Sequence, residues 1–270
     1  MKFFLAPMQG LTGYTVRNAF HHHFDYIDKY YTPFIPAAKR MNAKIKRDID
    51  PVNNDGITLI PQAMSIVADE VIDLHRQLVP YGYDEINVNL GCPSGTVVSK
   101  KRGSGILAYP DMLDSFLDEL YTKADFPVSI KTRVGFNDDE LWPKLIEIYS
   151  KYPISELTVH PRVQKDFYKN TPRMDDFALA VQKINPDKTI LCYNGDITNA
   201  NSFKALTDRF PDIDEIMIGR GLFTNPALIA ELKGISMDKA ELRERLKNWH
   251  DEIYPVICPS FPVKRMPFSA

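Results

Sequence analysis

The sequence contains few cysteines and no long hydrophobic run, and each shortage narrows the class of protein. Only three cysteines occur among 270 residues, Cys92, Cys192 and Cys258, and no two have CxxC spacing. An odd number of separated cysteines argues against a disulfide framework and is typical of a reduced, cytoplasmic protein. No apolar run approaches the roughly 18 residues of a membrane helix, and Pro7 breaks the short N-terminal apolar stretch. We therefore expect neither a signal peptide nor a membrane segment.

An excess of charge of one sign is also absent. Lys and Arg number 33 against 35 Asp and Glu, which gives a formal net charge of −2. This balance excludes a uniformly basic nucleic-acid-binding protein but allows a local basic face. Apolar residues make up 44% of the chain and charged residues 25%, as in ordinary globular proteins, so a disordered chain is excluded as well.

Short β-rich runs recur along the chain at intervals of roughly 30 residues, the size of one βα unit. The runs are Phe3–Ala6, Tyr26–Tyr30, Thr58–Gln62, Glu85–Val88, Val128–Lys131, Glu156–Val159, Thr189–Tyr193 and Glu215–Ile218. Amphipathic helical stretches separate most of them, including Val67–Val79, Asp111–Tyr121 and Asp139–Lys151. Strands that alternate with helices predict a parallel sheet, and eight units predict an α/β fold of the (β/α)8 barrel type. An open doubly wound sheet is the alternative.

The repeating pattern ends near residue 233. Met237–Tyr254 predicts one further helix, rich in Lys, Arg and Glu, outside the barrel. We therefore divide the chain into a barrel domain, residues 1–233, and a C-terminal helical segment, residues 234–270.

Polar residues and glycines follow seven of the eight predicted strands. In a (β/α)8 barrel the active site lies at the carboxyl ends of the strands, so these residues are the candidate site. They are Pro7, Met8, Gln9, Gln62, Asn89, Cys92, Lys131, Arg133, His160, Arg162, Asn194, Gly195, Asp196, Gly219 and Arg220.

The last two strands are each followed by a glycine, Gly195 and Gly219. Glycine lets backbone N–H groups approach an anion closely, and this fold often binds phosphate at that place. Arg220 could add positive charge. This pattern predicts a phosphorylated cofactor or substrate, and the alternative is two ordinary turns.

Three side chains carry the candidate chemistry. Cys92 lies in an irregular segment between Gly91 and Pro93, where a thiol can act as an acid or, if a base lowers its pKa, as a nucleophile. Lys131 ends an apolar strand and is either a Schiff-base nucleophile or a cation that faces an anionic ligand. His160 ends the next strand and is its expected neighbour.

The segment Gly103–Ala108 matches the pattern GxGxxA of dinucleotide-binding turns. It lies too far beyond the fourth strand for that role, which requires a strand immediately before the glycines. We interpret it instead as a flexible lid next to Cys92.

The ordered motifs APMQGLT, QAM, NVNLGCP, SIKTRVG, YNGDI and MIGRGLF resemble those of the tRNA-dihydrouridine synthases over about residues 1–232. The resemblance implies an FMN-dependent barrel that reduces uridines in tRNA to 5,6-dihydrouridine, with NADPH as reductant. It also implies that Cys92 is the proton donor and that Asn89 lines the site of uracil and flavin. The implied flavin-binding residues are Pro7, Met8, Gln9, Gln62, Lys131, His160, Asn194, Gly195, Asp196, Gly219 and Arg220.

Further positions bear on the RNA. Arg133 and Arg162 are predicted to contact RNA or ligand, as are Lys100, Lys101 and Arg102. A second basic cluster comprises Lys39, Arg40, Lys44, Lys46 and Arg47. The partners implied are tRNA and NADPH, with no membrane, and we expect a monomer.

The sequence departs from the family pattern at Ser65 and Pro161, where the family has glycine and glycine or alanine. Its C-terminal helical domain is expected to be incomplete, which would weaken RNA binding more than flavin binding. Two alternatives stay open: an FMN barrel enzyme of the dihydroorotate dehydrogenase type that acts on a free pyrimidine, and a non-catalytic RNA-binding protein.

Overall fold

A single parallel sheet of ten strands forms the centre of the molecule in the computed structural model, which describes residues 1–37 and 40–257. The strands are β1 (Lys2–Leu5), β2 (Lys29–Tyr31), β3 (Ile35–Pro36), β4 (Leu59–Ile60), β5 (Gln62–Met64), β6 (Ile86–Leu90), β7 (Val128–Gly135), β8 (Glu156–Val163), β9 (Ile190–Tyr193) and β10 (Glu215–Ile218). Their order around the sheet is β3-β5-β6-β7-β8-β9-β10-β1-β2-β4.

The sheet closes on itself because its two ends belong to the same stretches of chain. β4 pairs with β2, β5 pairs with β3 and β6, and only Pro61 separates β4 from β5. Proline has no N–H to donate to the ladder, so it divides this barrel strand into two short pieces. When β2 is counted with β3 and β4 with β5, eight strands form a cylinder, which confirms the predicted α/β barrel.

Helices lie between the strands and shield the sheet. They are α1 (Tyr14–His23), α2 (Ala43–Ile49), α3 (Ala68–Leu78), α4 (Gly95–Val98), α5 (Pro110–Lys123), α6 (Trp142–Lys151), α7 (Met174–Lys183), α8 (Ala200–Arg209), α9 (Arg220–Thr224), α10 (Leu228–Leu232) and α11 (Lys239–Ile257). In α3 the apolar side chains Val71, Leu74 and Leu78 are buried, while Asp69 and Glu70 occupy the first turn, where the helix dipole favours acidic residues.

The segment Gly103–Ala108 differs from its prediction. It forms a short 3-10 helix in which Gly103 to Leu107 are all buried, so the expectation of a flexible lid is wrong. A Cβ on Gly105 would lie 2.8 Å from the carbonyl oxygen of Val98, and only glycine allows this close packing.

The predicted C-terminal helix is confirmed as α11, and it rests on α1. Trp249 is buried with its ring centroid 5.3 Å from that of Phe20, and Ile253 is buried beside it.

The division of the chain at residue 233 stays a prediction. Lys39 and the C-terminal residues from Cys258 onward lie outside the described residues. Within the described chain, no helix is both long and apolar enough to cross a membrane.

Candidate active site

A cavity of about 480 Å³ opens at the carboxyl ends of the barrel strands. It lies where the fold predicts an active site, and most of the predicted site residues line it. These lining residues are Pro7, Met8, Gln9, Gln62, Asn89, Cys92, Lys131, Arg133, His160, Asn194, Gly195, Asp196, Gly219 and Arg220. Arg162, Lys100, Lys101 and Arg102 do not line it.

A row of buried amides fixes the loop that carries Cys92. The Asn89 side-chain oxygen accepts hydrogen bonds from the backbone N–H groups of Gly91 and Cys92, at 3.1 and 2.9 Å. The Asn89 amide nitrogen donates to Gln62 Oε1 at 2.7 Å, and Gln62 Nε2 donates to Asn87 Oδ1 at 2.7 Å. Asn89 and Gln62 therefore position the thiol loop by bonding within the protein.

These contacts give Gln62 a structural role in addition to the one expected of it. Its side chain is fully buried, its Oε1 accepts from Asn89 and its Nε2 donates to Asn87, which leaves one N–H and one lone pair of this amide without a partner among the described residues. Gln62 also lines the cavity, so its role as a flavin-binding residue stays a prediction.

Burial raises the pKa of the Cys92 thiol, and the positive charges of Arg133 and Lys131 only partly oppose that shift. A cysteine in this environment is protonated at neutral pH. Of the two roles left open by the sequence, the environment favours the acid over the thiolate nucleophile. Cys192, fully buried in β9, has a pKa raised well above its usual value and is part of the packed interior.

Lys131 lies deep in the cavity, and no carboxylate of the described residues pairs with it. Its Nζ donates to Asn194 Oδ1 at 2.6 Å, and the Asn194 amide nitrogen donates to the carbonyl oxygen of Met217 at 2.8 Å. Burial, reinforced by the nearby charge of Arg133, lowers the pKa of Lys131 to about 7. A ligand that brings negative charge next to Nζ would therefore be bound favourably.

His160 is neutral in this setting. Burial and the neighbouring cations Arg133, Lys131 and Arg162 lower its pKa well below its usual value. Its Nε2 lies 3.1 Å from an Arg162 nitrogen, which can only donate, so Nε2 is the acceptor and Nδ1 carries the proton. The ring can therefore offer one N–H to a ligand.

Arg133 lines the cavity, but its guanidinium mainly holds backbone. It donates to the carbonyl oxygens of Gly91 at 2.9 Å, Val163 at 3.0 Å and Phe167 at 2.8 Å. It thus joins the Cys92 loop to the loop after β8.

Arg162 lies behind the cavity wall and is only 1% exposed. It pairs with Asp196 and donates to the carbonyl oxygens of Lys169 and Asn170. This position contradicts the predicted direct contact of Arg162 with RNA or ligand, because its donors are directed into the protein.

The two predicted phosphate glycines differ in what surrounds them. A Cβ on Gly195 would lie 2.0 Å from the hydroxyl of Tyr193, so glycine is required there by packing. A Cβ on Gly219 would meet Ala6 at 3.4 Å and Met8 at 3.7 Å, at the cavity wall. Nearby, Arg220 pairs with Asp196 at 2.6 Å.

The donor set suits a ligand with a polar ring and an anionic end. Lys131, neutral His160 and Asn194 supply the donors along one wall, and Gly219 and Arg220 lie at another. The volume falls within the range of cofactor sites. The residues present therefore fit a flavin nucleotide.

The sequence profile of the dihydrouridine synthase family matches residues 4–255, which is nearly the whole chain. The chain belongs to the dihydrouridine synthase family. It is 27% identical over 243 residues to tRNA-dihydrouridine synthase B of Pasteurella multocida, an alignment that covers 87% of this chain and 69% of that protein. It is 32% identical over 154 residues to a probable tRNA-dihydrouridine synthase of Staphylococcus aureus, covering 56% of this chain and 46% of that protein.

Solved structures with the same fold include morphinone reductase, with a TM-score of 0.59 at 11% identity over 89% of this chain and 88% of that one. The old yellow enzyme from Trypanosoma cruzi has a TM-score of 0.58 at 8% identity over 97% of this chain and 94% of that one. At such low identity these likenesses establish the barrel fold of this dihydrouridine synthase family member and nothing more.

Sequence reasoning missed the aromatic residues of the site, Phe34, Phe167 and Tyr168, which also line the cavity. The Tyr168 ring lies between two guanidinium groups, with Arg133 at 5.6 Å and Arg220 at 5.0 Å from its centroid. Two adjacent aromatic residues in the polar loop after a barrel strand were the available signal.

The basic turn after α4 lies outside the cavity. Lys100 and Lys101 are exposed, and Lys101 Nζ lies 4.4 Å from the centroid of the Tyr109 ring. Arg102 is turned inward, where it forms an ion pair of 3.1 Å with Glu70. Within this turn, Lys100 and Lys101 are therefore the basic residues exposed for contact with a phosphate backbone.

Proposed function

We propose that this protein reduces uridine in tRNA to 5,6-dihydrouridine with bound FMN, and that NADPH supplies the reducing equivalents. Membership of the family carries the reaction class, and the Cys92 thiol and the buried Lys131 amine, which line one cavity, carry the assignment of the site. We also propose a cytoplasmic location, where such a substrate occurs. A monomer stays a prediction.

Reduction of the C5–C6 bond of uracil requires a hydride donor and a proton donor. No amino-acid side chain donates hydride, so the flavin, when bound, supplies it. The Cys92 thiol, kept protonated by burial, donates the proton to C5 as a general acid. Asn89 orients the thiol loop through the N–H groups of Gly91 and Cys92.

The cation of the site stabilises negative charge. Protonated Lys131 would interact with anionic character on a ligand next to Nζ, and Asn194 holds this ammonium in place. His160, held by Arg162, presents a single N–H to the same wall of the cavity.

The flipped uracil needs room beside the cofactor. A base that reacts must leave its stack to reach such a recessed site. Phe167 and Tyr168, 47% and 52% exposed, form an apolar edge at the mouth of the cavity over which a base can enter.

The test is reduction of unmodified tRNA by the purified protein. We expect it to retain a chromophore that chromatographs as FMN, and to form dihydrouridine, detected by mass spectrometry of digested tRNA, faster with NADPH than with NADH. The same preparation is assayed for oxidation of dihydroorotate. Turnover of dihydroorotate without any loss of uridine would overturn the proposal in favour of a free-pyrimidine enzyme.

A further inference from the structure

The backbone carbonyl of Cys92 is hydrogen-bonded within the protein, as is its backbone N–H. The carbonyl oxygen of Cys92 accepts hydrogen bonds from Ser104 N at 3.1 Å and from Ser104 Oγ at 2.8 Å. Gly103 has a φ of +55°, and a Cβ there would lie 2.8 Å from that same carbonyl oxygen. Residues 103 and 104 are therefore packed directly against the residue that carries the thiol.

The residue before this contact is anchored to the barrel. Arg102 pairs with Glu70 at 3.1 Å, and Glu70 accepts a hydrogen bond from the Ser65 hydroxyl. Ser65 is fully buried just after β5, and its Oγ also accepts from the backbone N–H of Val67 at 3.1 Å. We call the set Ser65, Glu70 and Arg102 the latch.

We propose that the latch positions Cys92 for proton donation, so that Ser65, Glu70 and Arg102 are positioning residues of the reaction. The proposal rests on the function proposed above for the role of Cys92. Between β6 and α4 the thiol loop has no regular structure of its own, so its placement depends on its neighbours. Glu70, itself bonded to Ser65, holds Arg102 in place. Gly103 and Ser104 follow Arg102 in the chain, and Ser104 hydrogen-bonds to the carbonyl oxygen of Cys92.

This assignment separates Arg102 from the two lysines before it. Both partners of the Arg102–Glu70 pair are three-quarters buried, with side chains 23% and 25% exposed. A residue that contacts phosphate contributes to the salt dependence of tRNA binding. A latch residue instead changes the behaviour of the thiol in the absence of tRNA.

The experiment measures alkylation of Cys92 by iodoacetamide across pH in flavin-loaded protein without tRNA. The background is Cys258→Ser, since Cys192 is fully buried. In Glu70→Gln and Arg102→Gln we expect the alkylation rate to rise by about threefold or more, because a released loop opens more often and exposes the thiol. The single-turnover rate should fall while the Kd for tRNA and its salt dependence stay constant.

Two controls complete the design. Lys100→Gln removes a neighbouring exposed charge and should leave the alkylation rate unchanged. Arg102→Lys preserves the ion pair and should retain most of the wild-type single-turnover rate, even if Arg102→Gln fails to fold.

The double variant of Glu70 and Arg102 should behave like either single variant, because both remove the same contact.

Wild-type alkylation in Glu70→Gln and Arg102→Gln, with a reduced salt dependence of tRNA binding in Arg102→Gln, would overturn the proposal and make Arg102 an RNA contact. A failure of the proposed function has a different signature. If Cys92→Ala formed dihydrouridine at the wild-type rate, the acid assignment would fail while the alkylation result in the latch variants persisted.

Discussion

Lys131 and Cys92 face one cavity, and burial shifts both toward their uncharged forms. The pKa of Lys131 is lowered to about 7, and that of Cys92 is raised. A neutral thiol is ready to give a proton at physiological pH. An amine that titrates near neutrality gains a charge easily when a negative group arrives beside it.

Replacement of Cys92 by alanine tests the thiol alone. Since the Cys92 thiol is not needed to hold the flavin, Cys92→Ala should keep its flavin and accept electrons from NADPH as before. Dihydrouridine formation should fall by about 10²–10⁴-fold, the usual contribution of a general acid. Single-turnover assays on tRNA give the rate. Formation of dihydrouridine at the wild-type rate would remove Cys92 from the reaction.

The pKa of Lys131 predicts proton uptake on ligand binding. At pH 8 the free protein, with a pKa of about 7, holds this amine mostly neutral. An anionic group beside Nζ favours the ammonium and raises the pKa, so binding of reduced FMN, whose ring is anionic at this pH, to the flavin-free protein should take up a proton, and binding of oxidised FMN, whose ring is neutral, should not. At pH 6 the amine is already charged and the uptake should vanish.

Calorimetric titrations in buffers of different ionisation enthalpy measure that uptake. Lys131→Met should abolish it, while His160, whose pKa is lowered well below its usual value, stays neutral throughout. Equal uptake by Lys131→Met and the wild type would assign the proton to another group.

At the scale of the elements, the sequence predicts the strands well because their periodicity and spacing reflect the barrel directly. The predicted end of the sixth strand, at Val159, stops four residues before the end of β8 at Val163. The predicted helix Asp139–Lys151 starts three residues before α6, which begins at Trp142, where Pro143 fits the first turn. These two errors lie at ends, where local propensity is weakest, whereas the two-residue strand β3 was missed altogether.

The hydrogen-bond partners of a side chain were harder to predict than its position in the barrel. Position after a strand brought Gln62 and Arg162 correctly to the carboxyl end of the barrel. Their partners, Asn89 and Asn87 for Gln62 and Asp196 for Arg162, come from other strands and loops and only meet in the folded chain. Sequence spacing carries no information about such long-range pairs.

The turn before α9 offers a steric test of the cavity. A Cβ on Gly219 would contact Ala6 and Met8 at ordinary distances, so the branches of a valine would occupy the cavity and leave the core intact. Gly219→Val should therefore fold but lose its flavin, measured by absorbance after gel filtration. Gly95→Ala is the matched control, because its Cβ meets nothing within 4 Å. A full flavin content in Gly219→Val would place the cofactor elsewhere.

Gly195 is unsuitable for the same test. A side chain there would collide with the hydroxyl of Tyr193, so a colourless Gly195 variant would report on packing as much as on the cofactor.

At the scale of the whole molecule, the net charge of −2 conceals an uneven distribution. The loops at the carboxyl ends of the strands carry the exposed lysines Lys100, Lys101, Lys165 and Lys169 around the cavity mouth. Asp196 compensates two cations of the same face, the buried Arg162 and the exposed Arg220. The charge left for a polyanion therefore lies on the exposed rim.

This distribution predicts how salt should act on tRNA binding. Each phosphate contact contributes about 0.7–0.9 to the slope of log K against log salt. Lys100→Gln should reduce that slope by about one contact, and binding should weaken for every tRNA tested, because phosphate contacts carry no sequence information. Lys188→Gln removes another exposed lysine, before β9 at the opposite end of the barrel, and should leave the slope unchanged. Fluorescence titrations from low to moderate salt give the slopes. Equal slopes for Lys100→Gln and the wild type would mean that the RNA approaches the cavity over another part of the rim.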